Sequence, residues 1–166
     1  MSGRIEDLYP PVVLEHGRRP ANRRIPAGAT HRASGDNPLC GDRLEIHVRL
    51  EGGSIRDIGF HGACCAVATA SASLMTTAVL GRDLEQARRL QDAFDQLIAG
   101  ADPDDSAEFR DLAALARIGT SRIPCVTLSW QALSSFLDTA AREALPAGTP
   151  ASREQSTPDP GVAIRR

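Results

Sequence analysis

Residues 43 to 50 read RLEIHVRL, with Leu44, Ile46, Val48 and Leu50 alternating with Arg43, Glu45, His47 and Arg49. Alternation with period two puts the aliphatic side chains on one face of an extended segment and the polar ones on the other, which demands a sheet covered on a single face. Gly52 and Gly53 supply a turn, and Ile55, Ile58 and Phe60 mark a returning strand with imperfect alternation, so a hairpin is expected. HRASGDN, residues 31 to 37, is expected to add an edge strand.

After Gly62 the apolar period becomes helical. Helices are predicted over 64–80 ended by Gly81, 83–99 ended by Gly100, 107–117, and 124–144 ended before Pro146. Upstream, Ile5, Leu8, Val12 and Val13 keep helical spacing, but Pro10 and Pro11 break any helix begun earlier, so this one is expected to start at the prolines. GRRPANRRIPAGAT, residues 17 to 30, reads as a loop. A sheet first and helices after it predict an α+β domain, a small antiparallel three-stranded sheet covered by helices, over residues 1–145. From Pro146 onward the chain is rich in Pro, Ser, Thr and Gly, so 146–166 is expected to be a disordered polar tail.

Composition narrows the chemistry. A chain of 166 residues suits one domain that buries about 70% of its unfolded surface. The net charge of -2, with no block of like charge, argues against nucleic acid as a partner. All 19 basic residues are arginine, which excludes Schiff-base lysine chemistry and the lysine of a phosphate-binding loop. Residues 63 to 80 carry no charge, yet they are mostly alanine, serine and threonine, so a buried, closely packed helix is expected and not a membrane span. Its ATASAS run is expected to let the helix approach the sheet closely. The start, MSGRIEDLYPP, lacks the apolar core of a signal peptide, and the chain is read as cytoplasmic.

In that compartment thiols stay reduced, which favours metal ligands or reactive thiols over disulfides for the four cysteines. Cys40 stands in NPLCGD, where Asn37, Pro38, Gly41 and Asp42 are turn formers that display a side chain. Cys64 and Cys65 open the small-residue helix, and Cys125 opens the last one. Helix N-termini are expected to lower thiol pKa and favour the thiolate. If the segments meet, three thiolates and the Asp42 carboxylate form a set that suits tetrahedral zinc and is also compatible with an iron–sulfur cluster. Spacings of 25 and 60 residues make no zinc knuckle, so spacing alone leaves open that each cysteine is a small core hydrophobe and Asp42 a turn residue.

Taken together, LYPPVVLEHGRRPAN, NPLCGDRLEI, GFHGACCAVATASASLMT and RIPCVTLSWQAL resemble, in order over about residues 5 to 142, the iron–sulfur cluster assembly scaffold family of IscU, NifU and SufU. The resemblance implies metal ligands at Cys40, Asp42, Cys65 and Cys125, with Cys64 where the family usually has glycine. IscU-like members carry a histidine directly before the third cysteine; here that position is Pro124, and no histidine lies beyond residue 61. The 44 residues from Gly81 to Cys125 and the arginine-led RIPC further resemble the SufU-like branch. That branch implies a zinc protein that takes persulfide sulfur from a SufS-like cysteine desulfurase, stimulates it, and passes sulfur to downstream cluster assembly proteins. Cys40, on the turn, is the expected acceptor. A scaffold holding iron or an iron–sulfur cluster on the same ligands is the alternative. Arg122 is a candidate partner of Asp42 or of an acid on another protein, His16 and His61 are read as surface or strand-end residues, and Trp130 and Leu133 as core.

Overall fold

The computed structural model describes residues 8–102 and 107–145. Ile5 and the stretch 146–166, for which a tail is expected, lie outside the described residues. In chain order the elements are α1 (Pro11–Arg18), β1 (His31–Asn37), β2 (Asp42–Glu51), β3 (Ser54–Ala63), α2 (Ala66–Val79), α3 (Leu84–Ile98), α4 (Ala107–Ala116), a 3-10 turn (Thr120–Arg122) and α5 (Ile123–Ala144). The strands form one antiparallel sheet in the order β1-β2-β3, so the architecture is the expected α+β.

The alternation in β2 fixes which face is covered. Leu44, Ile46 and Val48 are at most 2% exposed, and α5 lies across them and β1. Close approach is possible because Gly35 of β1 meets Leu128 of α5, where a Cβ would stand 3.0 Å from the leucine side chain. Phe94 of α3 and Trp130 of α5 stack at 3.8 Å between ring centroids, closing the core beyond the helices. Trp130 and Leu133 are buried, as the sequence predicts.

Helix α2 is buried on every side from Val67 to Thr76, which explains why charge is absent from it. Its small residues serve a different neighbour from the one expected: α2 packs chiefly on α1 and α5, and only secondarily on the sheet. Its hydroxyls satisfy groups on the surrounding chain instead of lying idle. The Ser71 hydroxyl donates to the Val126 carbonyl at 2.5 Å, Ser73 Oγ meets His16 Nδ1 at 2.7 Å and accepts from the Ala21 N–H, and Thr76 Oγ1 accepts from Asn22 Nδ2. Each side chain is small enough to admit a neighbouring backbone and polar enough to bond it. His16 is thereby a structural tie between α1 and α2.

The free edge of β3 is closed by the loop after α1, where the Phe60 N–H donates to the Asn22 carbonyl and Arg24 forks onto Asp57 at 2.7 and 3.1 Å. The hydrogen bond from Arg24 holds the Asp57 carboxyl below its ordinary range, against the opposing effect of burial. A depressed folded pKa means that this stabilisation is complete above the unfolded value, about 3.9, and is lost as pH falls through the folded one. With the Arg24 side chain 49% exposed, the pair contributes under about 1 kcal/mol. Asp57→Asn is expected to lower stability by that amount in urea unfolding at pH 7, with the gap to the natural chain closing as pH falls through the depressed carboxyl pKa.

Candidate metal centre

Three chain segments bring their cysteines to one region: the turn between β1 and β2, the start of α2 and the start of α5. The turn between β1 and β2 is held by the side chain and carbonyl of Asn37: its Oδ1 accepts from the Leu39 N–H at 3.2 Å and its backbone oxygen from the Gly41 N–H at 2.9 Å. Gly41 takes φ +75°, which lets the chain reverse straight after Cys40. Cys40 is therefore exposed on the turn, while Asp42, the first residue of β2, shares the covered face with Leu44 and is 4% exposed.

Cys65 arrives from the end of β3 as the N-cap of α2, its sulfur accepting from the Ala68 N–H at 3.4 Å. Cys125 lies in the first turn of α5 and is buried. Pro124, just before it, falls in the same turn, where a missing backbone N–H costs nothing.

The donor atoms of Cys40, Asp42 and Cys125 all lie within 4.8 Å of one another. The Cys40 thiol donates to Asp42 Oδ2 at 2.9 Å, and its sulfur is 3.5 Å from that of Cys125. Cys65 stands beside this trio and not inside it: its backbone N–H donates to Asp42 Oδ1 at 2.7 Å while its sulfur caps the helix. The Cys65 side chain nonetheless bears on both neighbours, acting on the Asp42 carboxyl and the Cys125 thiol.

Burial opposes ionisation of Asp42, but the hydrogen bonds from Cys40 and Cys65 outweigh it and hold the carboxyl below its ordinary value. Two of the thiols, Cys125 and Cys64, behave otherwise than helix N-termini alone would dictate. Burial, then the bond to Cys40 and the negative neighbours, push Cys125 up to about 12, and burial with the Asp42 charge pushes Cys64 up to about 11. Desolvation and like charge exceed the helix-end effect here, which corrects the expectation of thiols activated by the fold alone. The same crowding of potential negative charge is what a divalent cation reverses, since it takes thiols as thiolates. Two sulfurs and a carboxylate in mutual reach, with a third sulfur alongside, suit tetrahedral zinc.

Cys64 points elsewhere, its thiol donating to the Arg43 carbonyl at 3.3 Å. At pH 8, about three pH units below its pKa, it is nearly all thiol. Mass mapping after brief iodoacetamide treatment of the metal-free protein at that pH is expected to find Cys64 largely unlabelled, with exposed Cys40 alkylated first.

Two further residues belong to the site. Asn37 is buried and donates to Cys40 Sγ at 2.9 Å and, more loosely, to Cys125 Sγ at 3.8 Å, which turn chemistry alone did not reveal. Arg122 is influenced first by Tyr9 and then by the Cys125 thiol, so its neighbours are these and not the Asp42 carboxylate suggested by the sequence. Tyr9, Val13, Cys65 and Arg122 line a groove of about 330 Å³ that opens beside the thiols.

A three-stranded sheet under helices, presenting thiols and a carboxylate from separate segments at one point, defines the class of iron–sulfur cluster assembly scaffold proteins. The chain belongs to that family, matching the NifU-like N terminal domain over residues 8–138. It is 35% identical over 131 residues to the zinc-dependent sulfurtransferase SufU of Bacillus subtilis, covering 78% of this chain and 88% of that one. It is 34% identical over 136 residues to the iron–sulfur cluster assembly scaffold protein IscU of Streptococcus pyogenes, covering 81% and 85%. The fold is that of the putative SUF-system scaffold protein from Fervidobacterium islandicum, with a TM-score of 0.72 at 20% identity over 81% of this chain and 99% of that one.

Proposed function

We propose that this protein is a zinc-dependent sulfur acceptor that takes persulfide sulfur from a cysteine desulfurase in the cytoplasm and stimulates it. Cys40, Asp42, Cys65 and Cys125 would hold the ion, and Cys40 would carry the sulfur. The observation that carries the reading is the convergence of Cys40, Asp42 and Cys125 from distant segments, with Cys40 alone among them exposed. Likeness to the B. subtilis protein and the absence of a histidine at position 124 favour zinc over a cluster. Zinc, when bound, keeps the thiols deprotonated near neutral pH without redox chemistry of its own.

The residues divide the work by position. Cys65 and Cys125, fixed at the starts of α2 and α5, anchor the site. The Cys65 sulfur retains lone pairs for a metal while capping its helix. Asn37 and Asp42 hold the Cys40 sulfur at the mouth of the turn. In the transfer step the Cys40 thiolate attacks the outer sulfur of the desulfurase persulfide. A sulfur–sulfur bond forms on Cys40, that of the donor breaks, and the donor cysteine leaves as thiolate with no net oxidation. The sulfur then passes to downstream cluster assembly proteins.

A second reading, a scaffold that builds and transfers an iron–sulfur cluster on the same ligands, has the likeness to the S. pyogenes protein in its favour. Elemental analysis of the purified protein, paired with sulfide release from desulfurase and free cysteine, decides between them. Colourless protein with at least about one zinc per chain and faster sulfide release is the expected result. Brown protein that passes its cluster to an apo-acceptor would replace the first reading by the second. Zinc without stimulation would reduce the ion to a structural role.

A further inference from the structure

The outer face of the sheet carries a second convergence of ligating atoms. Glu45 and His47 alternate with the covered residues of β2, and His61 of β3 pairs directly with Glu45 in the register. His47 Nε2 lies 2.7 Å from Glu45 Oε1 and 3.0 Å from His61 Nε2, and His61 Nε2 lies 3.3 Å from the same carboxylate oxygen. The two rings stack, with centroids 5.0 Å apart and planes 25° from parallel. None of these residues belongs to the thiol site. Asp42, also on β2, faces the covered side, so the two groups stand on opposite faces of one strand.

Protons alone satisfy this arrangement poorly. An imidazole Nε2 carries at most one hydrogen, so His47 cannot donate fully to both the carboxylate and His61. If both Nε2 atoms are protonated, two N–H groups face each other at 3.0 Å. A single cation between them meets three lone pairs at once. Bonds of about 2.0–2.1 Å to zinc separate neighbouring donors by roughly 2.9 Å at right angles and 3.4 Å in a tetrahedron. The observed separations, 2.7 to 3.3 Å, fall near that range without any backbone movement.

We propose that Glu45, His47 and His61 form a second divalent-metal site, independent of the cysteines. Two imidazoles and one carboxylate select a borderline transition ion of the zinc class over calcium or magnesium, with the remaining position open to water. The side chains are 13% exposed at His47, 30% at Glu45 and 47% at His61, so the group is sheltered on one side and accessible on the other. His61 lies exposed near the end of β3, as the sequence predicts, and the proposal gives it a ligand's role in that position.

Cobalt(II) alone, titrated into the full metal-free chain, reads the two sites apart. Cobalt on thiolate shows sulfur-to-metal charge transfer in the near ultraviolet, whereas cobalt on imidazole and carboxylate does not. The expected result is one equivalent with that band and a second without it. His61→Ala should abolish only the second, and Glu45→Gln should weaken it at least tenfold, with unfolding midpoints of the metal-free proteins unchanged. Saturation with no equivalent lacking the band, or such an equivalent surviving His61→Ala, overturns the assignment. Absence of the band with the second equivalent retained would count against the proposed function and leave this site standing.

Discussion

Cys40→Ala is expected to return sulfide production, in a mixture of desulfurase, free cysteine and this protein, to the rate of the desulfurase alone. The thiol is exposed on a turn whose two holding bonds, from the N–H groups of Leu39 and Gly41 to Asn37, do not involve sulfur. Its loss should therefore leave the fold nearly unchanged, within about 1 kcal/mol, while removing the atom on which, in the proposed function, the new sulfur–sulfur bond would form. Thermal unfolding of the metal-free variant checks the first part and sulfide release the second. Undiminished stimulation would remove Cys40 from the acceptor role. Cys125, pushed up to about 12 when no cation is bound and buried beneath the turn, is not a ready substitute.

Gly62→Ala is expected to be among the most damaging small changes in the described residues. The residue sits at φ +145°, and a Cβ there would lie 2.1 Å from the Arg43 carbonyl oxygen. The obstacle is backbone of the neighbouring strand, so no rotamer relieves it, and the cost is about 3 kcal/mol or more. Relief requires β3 to move off β2 at the point where β3 leads into Cys64 and Cys65. That movement lengthens the 2.7 Å bond from the Cys65 N–H to Asp42 and spreads the ligands. The variant should lose unfolding temperature and, with it, the capacity for the proposed zinc ion. Gly41→Ala provides the contrast: φ is +75° but nothing lies within 4 Å of the added Cβ. Only local strain of about 1 kcal/mol then applies, and the metal-free protein should unfold at nearly the natural midpoint.

Local pattern was enough for the elements. Alternation in RLEIHVRL defined β2 and its covered face, and the glycine pair defined the hairpin. Asp83, whose side chain caps α3 through a reciprocal pair of bonds with Gln86, lies one residue before that helix begins, where the prediction placed its start. Helix α2 begins at Ala66 and not at residue 64, because Cys65 takes extended backbone and caps it. That shift was not legible, since cysteine is no common capping residue. The polar residues of the buried helix were legible as small but not as bonded, because their partners, His16, Ala21, Asn22 and Val126, are 50 or more residues away.

The cysteine motifs and the order of sheet and helices are properties of the chain itself, since each depends on residues within one turn or one strand of each other. Which sulfurs share a centre with Asp42 depends on α5 crossing the covered face of the sheet, and that is fixed by packing. The same holds for protonation: sequence places Cys125 at a helix start, where its thiol should ionise readily, but burial among other thiols sends it the opposite way. Glu45, His47 and His61 look unrelated on paper, and only strand register makes them neighbours. Short-range geometry is carried by dihedral preference and hydrophobic period, whereas coordination and charge depend on distances that exist only once the sheet and helices have closed on one another.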